Sequence, residues 1–374
     1  MKINEFRYEV ETFVKEKICP YTNTIDKVGR ISNSTIQDIA NKGYLGCNIP
    51  LIYGGSEYNS EKIGIINELF AKASPSVRSL FTVQGMVALA IQRYGTKEQK
   101  ERWLPMLSSG TALASFALAE EQAGSDSNNI VSSYSEKGDS FVLNAEKVWV
   151  TFGQVANIFL VFAKKDEKYS AFIVDRGFNG VEVKAVDGLL GLRGSMVATL
   201  SLRDCEIPKE NILGAPGSGL SYIAPMCLDY GRFTVAWGCV GICQECLDNS
   251  LEYVNYRSQF GNAIKDYQLI QRIITSMISM TKASRLMCES VNLLRDSGEP
   301  TAVIETCLAK YFASKAANDV ASNAVQIFGA NGCIDSYPIE RFFRDSRINE
   351  IIEGTTQILE IVIAGNYSNI ENIR

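Results

Sequence analysis

The spacing of apolar residues changes twice along the chain, and this order restricts the fold. Helical spacing comes first, strand-like patterns follow and helical spacing returns. Residues 1–111 place apolar residues at helical spacing, with a turn from Pro50 to Gly55. Residues 112–215 contain β-branched and aromatic runs broken by Gly, Asp and Asn, which predicts a β domain. Residues 216–374 return to long amphipathic helices. The chain is therefore predicted to be an α+β protein, mainly α, with three domains.

Within these domains, individual elements can be predicted from periodicity. The first domain carries predicted helices over 61–73, 76–94 and 97–107, and the clearest strands of the second are predicted over 141–150, 158–163, 169–174 and 181–186. The strand spacing is typical of a small barrel or sandwich. The third domain has long helical segments over 219–258, 266–297 and 301–328 and a last helix after Thr355. Antiparallel helices of this length predict a four-helix bundle, in which sites form between facing helices.

Composition limits the classes of function. The 374 residues have a net charge of −5, which argues against broad nucleic-acid binding and favours small molecules or proteins as partners. No apolar run reaches the roughly 18 residues that span a bilayer, and the N-terminus lacks the apolar segment of a signal peptide, so we expect a cytoplasmic protein without a membrane anchor. Ten scattered cysteines fit a reducing compartment. Cys239, Cys243 and Cys246 share one helix face, which favours core packing over metal or redox chemistry.

One carboxylate near the C-terminus is the best candidate for a catalytic base. Glu353 follows Ile351 and Ile352 and precedes Gly354, and a carboxylate in an apolar loop has a raised pKa. The chain contains no histidine, which removes the commonest alternative for proton transfer. The competing interpretation is an ordinary loop glutamate that caps the helix starting near Thr355.

Two short segments of the β domain could contact a ligand. The turn from Ala123 to Asp126 is small and polar and could bring backbone NH groups close to a ligand, although it could equally be a plain β-turn. The segment from Lys147 to Thr151 ends a predicted strand with an aromatic plane and a hydroxyl. That pairing could stack on and hydrogen-bond a planar heterocycle, and the alternative is a tryptophan of the core.

Two segments of the bundle carry further candidate groups. Residues 257–261 place an arginine and a phenylalanine where the first long helix stops, and such an arginine can bind a pyrophosphate or complement the helix dipole. Residues 326–330 end the third long helix with an amide and small residues, which alone is an ordinary C-cap.

The joint order of these segments resembles the acyl-CoA dehydrogenase family along nearly the whole chain. The resemblance is carried by the Tyr94-Gly95 and Leu104-Pro105 pairs and by residues 120–126, 149–151, 193–195, 208–214, 257–261, 326–330, 341–345 and 353–355. It implies a helical domain, a β-barrel domain and a C-terminal four-helix bundle, with FAD between the β domain and the bundle. It implies no metal.

The resemblance also assigns roles to particular residues. Phe116, Leu118, Gly124, Ser125, Trp149 and Thr151 would contact FAD from the β domain, and Thr355 and Gln357 from the bundle. Arg257, Phe260, Gln268, Gln326 and Gly329 would hold the FAD of a neighbouring subunit, so the family pattern implies a homodimer or homotetramer. The electron acceptor is left open.

For catalysis, the resemblance implies an acyl thioester as substrate. Glu353 matches the family's catalytic base, which removes the α-proton while the flavin accepts a hydride from the β-carbon. Arg232 matches an arginine that supports the site. Some members of the family place the base just before that arginine, but this chain has Gly231 there.

Several positions depart from the family pattern. Ala119 and Glu121 stand where a threonine and a proline are usual, and Phe152 replaces a common asparagine. One flavin hydrogen bond is therefore expected to be lost, which would change the redox potential or the affinity for FAD. Ile352 stands where several fatty-acyl enzymes carry tyrosine, so a remodelled acyl pocket is expected.

Residues 229–242 resemble a narrower branch, whose members act on carrier-protein-tethered acyl groups that become hydroxymalonyl- or methoxymalonyl-type extender units in polyketide and nonribosomal peptide pathways. Bulky Tyr230 and Trp237 near the expected acyl cavity would favour a short polar acyl group, unless Trp237 packs between helices. Three hypotheses follow: a dehydrogenase for a short acyl group on an acyl carrier protein, a catabolic acyl-CoA dehydrogenase, and a noncatalytic scaffold of the same fold.

Overall fold

A computed structural model describes residues 2–370, and its first part is helical. Side chains cap four of these helices, since those of Ser32, Asn59, Ser74 and Thr96 accept hydrogen bonds from backbone NH groups of the following turn. The helix capped by Ser74 is almost entirely buried, as expected for a helix that is apolar on most faces. The helices are α1 Ile3–Lys17, α2 Thr22–Val28, α3 Asn33–Asn41, α4 Ser60–Ala73, α5 Pro75–Tyr94 and α6 Lys97–Ser109.

The middle part is one eight-stranded sheet. Its strands are β1 Ala114–Ala117, β2 Ser133–Lys137, β3 Ser140–Val150, β4 Ile158–Lys165, β5 Lys168–Asp175, β6 Val181–Ala185, β7 Ala198–Pro208 and β8 Ile212–Leu213. They follow the order β6-β7-β3-β2-β4-β5-β8, and β1 pairs in parallel with β4. The first six residues of β4 are buried, because the sheet is covered on both faces along this strand.

The last part is a helical bundle. Its helices are α7 Ala224–Tyr256, α8 Gln268–Asp296, α9 Ala302–Phe328, α10 Ile339–Asn349 and α11 Thr356–Ile370, and the short strands β9 Ser258–Gln259 and β10 Asn262–Ala263 connect α7 to α8. The cysteines at 239, 243 and 246 are buried in the core between these helices, as their helical spacing predicted. Within residues 2–370, no helix is long and apolar enough to cross a membrane.

The bundle and the first helices share a core through α7. Gly241 of α7 has no side chain, and a Cβ there would collide with a backbone carbonyl of α4, so the two helices can approach closely. Trp237 lies between Gly64 of α4 and Asn292 of α8, to which its indole NH donates a hydrogen bond of 3.0 Å. The tryptophan therefore packs between helices, which was the alternative to its lining the acyl cavity.

The helices and strands that periodicity predicted are present, with their ends shifted by a few residues. The bounds of helices α1, α2 and α10 and of strands β1, β2 and β7–β10 were not predicted. Strand β7 pairs with both β3 and β6, so its place depends on long-range pairing rather than on a local pattern.

Candidate active site

Glu353 lies in the short loop that joins α10 to α11. Its backbone is left-handed at φ +56°, and Gly354 follows at φ +97°. A left-handed backbone is uncommon for a residue other than glycine and is often kept where function requires it. This turn directs the carboxylate at Gly231 of α7, where a Cβ would collide with it. The glycine therefore provides the space that the carboxylate occupies.

Two cations fix the backbone of this loop. The Nε of Arg232 donates to the Glu353 carbonyl at 3.0 Å, and the Nζ of Lys310 donates to the Gly354 carbonyl at 2.7 Å. Lys310 is completely buried in α9, and burial lowers its pKa to about 8. The carbonyls of two consecutive loop residues thus accept hydrogen bonds from side chains of α7 and α9.

The Glu353 carboxylate is poised to exchange a proton near neutral pH. Its Oε2 is buried and has no hydrogen-bond partner among residues 2–370. Desolvation raises its pKa to about 7, although the positive charges of Arg232, Lys310 and Arg78 act in the opposite direction. The raised pKa agrees with the expectation from the apolar sequence around this residue.

Sequence reasoning missed two of these cations, Lys310 and Arg78. Lys310 sits in an alanine-rich helix and Arg78 in a buried one, and neither follows a recognisable motif. A lysine or arginine in a helix is normally a surface residue, so only the tertiary packing identifies these two as buried.

On the β domain, the predicted flavin-contacting residues lie at the ends of neighbouring strands. Trp149, at the end of β3, is left-handed at φ +59° and 64 % exposed. Its neighbour Thr151 is half-buried, and its carbonyl accepts a hydrogen bond of 2.8 Å from Ser115 of β1. Phe116 is half-buried and Leu118 is buried on or just after β1, while Gly124 and Ser125 are exposed in the following turn.

The other predicted cofactor contacts cluster at the opposite end of α7. Arg257 ends α7, and Phe260 in the next turn is left-handed at φ +52° and 93 % exposed. The end of α9 reaches the same place, because Tyr253 stacks on Phe328 with ring centroids 4.0 Å apart. Exposed Gln326 and Gly329 flank that phenylalanine, and exposed Gln268 begins α8.

This second cluster is far from the carboxylate. The 25 residues of α7 that separate Arg232 from Arg257 span roughly 38 Å at the helical rise per residue. A flavin dinucleotide that binds beside Glu353 would therefore not contact Arg257 of the same subunit. The structure therefore groups the predicted site residues in two separate sets.

Residues 355 and 357 lie directly after the carboxylate loop. Thr355 precedes α11, and its Oγ1 accepts a hydrogen bond of 3.3 Å from the Ile358 NH, which caps the helix. The capping role that was considered for Glu353 thus belongs to Thr355. Gln357 is exposed on the first turn of α11.

The residues at these positions suit a flavin. An exposed indole held in a left-handed conformation offers a flat apolar face, and exposed backbone of the Gly124 turn offers hydrogen-bond donors. The buried Glu353 Oε2, without a partner of its own, supplies an acceptor for a proton from a bound molecule.

Comparison with protein-family models gives three matches in chain order. The N-terminal domain of acyl-CoA dehydrogenase matches residues 2–111, its middle domain matches residues 115–205 and its C-terminal domain matches residues 217–367. Two curated relatives have similar sequences over most of their length. Acryloyl-CoA reductase (NADH) of Anaerotignum propionicum is 35% identical over 94% of this chain and 91% of its own, and the short-chain specific acyl-CoA dehydrogenase of Homo sapiens is 34% identical over 95% and 87%.

Solved structures are also similar over nearly the whole chain. The prolyl acyl carrier protein oxidase AnaB has a TM-score of 0.93 at 26% identity, covering 97% of this chain and 98% of its own. FkbI, described as serving biosynthesis of the methoxymalonyl extender unit of a polyketide, has a TM-score of 0.90 at 28% identity, covering 96% and 99%.

Proposed function

The chain belongs to the acyl-CoA dehydrogenase family and is an FAD-dependent acyl-thioester dehydrogenase, and from this premise we propose that its substrate is a short acyl group tethered to an acyl carrier protein. The observation that carries the chemistry is the Glu353 carboxylate, which is buried, has an Oε2 without a partner in the described chain and has a pKa of about 7. A base with a pKa near the working pH is well suited to remove a weakly acidic proton. FAD, when bound, accepts the hydride that leaves the β-carbon.

In this proposal the residues around Glu353 position it and exclude water. Arg232 and Lys310 hold the two carbonyls of its loop, so the carboxylate keeps one direction. Gly231 leaves room for the carboxylate beside α7. The α-proton passes to a Glu353 oxygen, and the protein supplies orientation and a desolvated environment.

The cofactor contacts are also proposals, and they divide between two subunits. Trp149, Thr151 and Ser125 would contact FAD in the subunit that holds Glu353. Arg257, Phe260 and Gln326 would contact the FAD of a second copy, because they lie roughly 38 Å away along α7. A homodimer would then bind its cofactors across the interface between subunits.

Three observations support a carrier-bound substrate. Residues 229–242 of α7 resemble the branch that acts on tethered acyl groups. AnaB is described as an oxidase of a prolyl acyl carrier protein, and FkbI as serving an extender unit of a polyketide.

The test compares one acyl group on two carriers. A short acyl group is loaded on an acyl carrier protein and on free CoA, and anaerobic bleaching of the flavin is followed for both. We expect kcat/KM to be at least about tenfold higher on the carrier protein, a difference of roughly 1.4 kcal/mol. Equal or faster turnover of the CoA thioester would contradict a carrier-bound substrate.

A catabolic acyl-CoA dehydrogenase is the second candidate. It is favoured by the curated relatives, which are more similar in sequence than the carrier-linked neighbours and are named for CoA substrates. Efficient turnover of free short-chain acyl-CoA in the same assay would establish it.

A further inference from the structure

Lys147 of β3 and Glu120, which follows β1, form a fully buried ion pair in the β domain. The side chain of Lys147 is 0 % exposed and that of Glu120 is 2 % exposed, and Nζ lies 2.7 Å from Oε1. Burial lowers the pKa of Lys147 to about 8, although the hydrogen bond to Glu120 acts in the opposite direction. Because desolvation offsets much of the attraction between two buried charges, such a pair is a weak source of stability.

The lysine lies at the start of a β-bulge that carries Trp149. Between Lys147 and Val150, β3 contains one residue more than the part of β7 with which it pairs. The extra residue changes the side of the sheet that the next side chain takes, and Trp149 is accordingly exposed at φ +59°. Lys147 is therefore the last buried side chain of β3 before the bulge.

The amine of Lys147 holds the segment after β1 against this bulge. Its Nζ donates to the Leu118 carbonyl at 3.1 Å, and the neighbouring Val148 NH donates to the Ala119 carbonyl at 2.9 Å. Leu118 and Trp149 both belong to the predicted flavin contacts. The amine thus fixes one group of these contacts relative to the other.

The carboxylate of the pair closes the turn that carries Gly124 and Ser125. Oε2 of Glu120 accepts a hydrogen bond of 2.6 Å from the Val131 NH, and Oε1 accepts one of 3.1 Å from the Ser132 NH. These bonds join the residue that precedes the turn to the residues that follow it. The base of the turn is therefore attached, through Glu120, to the amine beneath the bulge.

We propose that Lys147 is a positioning residue for FAD, which fixes the Trp149 bulge relative to the turn that Glu120 closes. The inference rests on the flavin contacts of the proposed function and adds the residue that keeps them in register. Groups that bind a cofactor work well only when the residues behind them keep their geometry within a fraction of an ångström. One buried amine that bonds to both segments meets that requirement.

The first test follows the release of FAD from the FAD-loaded enzyme. After dilution, release is measured from the rise in flavin fluorescence, and in Lys147→Met it should be at least about tenfold faster than in the wild type. Lys147→Arg keeps a charged donor and should recover part of the difference. Lys165→Met is the control, since it breaks an exposed pair with Glu136 in the same sheet and should leave release unchanged. A wild-type release rate in Lys147→Met would overturn the inference.

A double variant separates positioning from stability. Lys147→Met combined with Glu120→Gln removes both charges, so it should regain much of the thermal stability that Lys147→Met alone loses. Release of FAD should remain at least about tenfold faster than in the wild type, and the visible circular dichroism of the bound flavin should remain altered. If the release rate and the dichroism returned to wild-type values together with the stability, the pair would act on stability alone and the inference would be wrong.

Trp149→Ala shows whether a failure belongs to this inference or to the proposed flavin contacts. If Trp149→Ala accelerates FAD release and Lys147→Met does not, only the role of Lys147 is refuted. If neither variant changes release, the flavin contacts and the role of Lys147 are refuted together. None of these measurements uses a substrate, so they are independent of whether the acyl group is carried by CoA or by a carrier protein.

Discussion

At the scale of single residues, the site depends on Glu353, which is held in an energetically unfavourable environment and backbone conformation. Its carboxylate is desolvated and its backbone is left-handed, and both conditions cost stability. They are maintained because Arg232 and Lys310 bind the adjacent carbonyls and because Gly231 leaves space. The residue that performs the proposed chemistry is therefore a source of local instability.

Glu353→Gln should abolish most flavin reduction, because the amide cannot accept the α-proton. We expect a fall of at least about 10³-fold in the anaerobic bleaching rate with unchanged FAD content. Bleaching at a rate near that of the wild type would remove Glu353 as the base.

The same variant should be more stable than the wild type at pH 8. The pKa of Glu353 is raised from 4.5 to about 7 on folding, so the folded protein binds this proton more tightly than the unfolded chain does. The stability that this proton contributes is fully present below pH 4.5 and is lost as the pH rises through 7. The free energy of unfolding should rise in the variant by on the order of 3 kcal/mol at pH 8 and by little at pH 5. Thermal unfolding at both pH values measures the difference.

Lys310→Met tests the positioning role of the buried lysine. Its positive charge lowers the pKa of Glu353, so its removal should raise that pKa and move the acidic limb of the kcat/KM profile to higher pH, by roughly one unit. Lys315→Met changes an exposed lysine of the same helix and should leave the profile in place. An equal loss of kcat/KM at every pH, without a shift of the acidic limb, would show that Lys310 acts on folding alone.

At the scale of elements, α7 organises the molecule. Its first turns face the carboxylate through Gly231, its middle packs against α4 through Gly241, and its last turn carries Arg257. A helix of 33 residues can serve two distant sites because it spans roughly 50 Å. The β domain supplies another group of predicted cofactor contacts, among them Trp149 at the end of β3.

Arg257→Ala should lower the retention of FAD without changing the environment of Glu353. The arginine is exposed and far from the carboxylate, so its loss should act through the cofactor of the second copy. The ratio of bound FAD to protein after gel filtration measures the effect, and we expect several-fold weaker retention together with a weaker dimer. Normal FAD content in the variant would contradict the assignment across subunits.

At the scale of the whole molecule, buried carboxylates join parts that are distant in sequence. Glu68 of α4 is 2 % exposed at its side chain and binds Arg7 of α1 at 2.8 Å and Arg285 of α8 at 2.6 Å. Asp345 of α10 accepts from the Leu192 NH of the β domain at 2.6 Å, in the helix that leads into the Glu353 loop. The position of the loop therefore depends on contacts among all three parts.

Glu68→Gln should destabilise the protein, because two arginines lose their charged partner. Burial alone would raise the pKa of Glu68, but hydrogen bonds and charge from Arg285 and Arg7 outweigh it and lower the pKa. The stabilisation that ionised Glu68 provides is thus present above the pKa of this residue in the unfolded chain. It is lost as the pH falls through the lower pKa of the folded protein. Denaturant unfolding at pH 7 should show a loss of roughly 2–4 kcal/mol, which shrinks in acid.

The control for this prediction is an exposed pair. Lys137 and Glu206 lie 2.7 Å apart on the surface, and Glu206→Gln should change stability far less than Glu68→Gln does, because solvent screens an exposed pair. Equal effects of the two substitutions would contradict the special role of the buried glutamate.

The sequence by itself determined the order of the three parts, most helices and strands, and the carboxylate most suited to act as a base. These features are local, because periodicity, turn residues and the apolar setting of Glu353 are set by near neighbours in the chain. The tertiary structure alone decided which cations surround that carboxylate and where Trp237 packs. Lys310 and Arg78 are ordinary helix residues until α5, α7 and α9 meet, since burial and charge pairing are properties of packed surfaces.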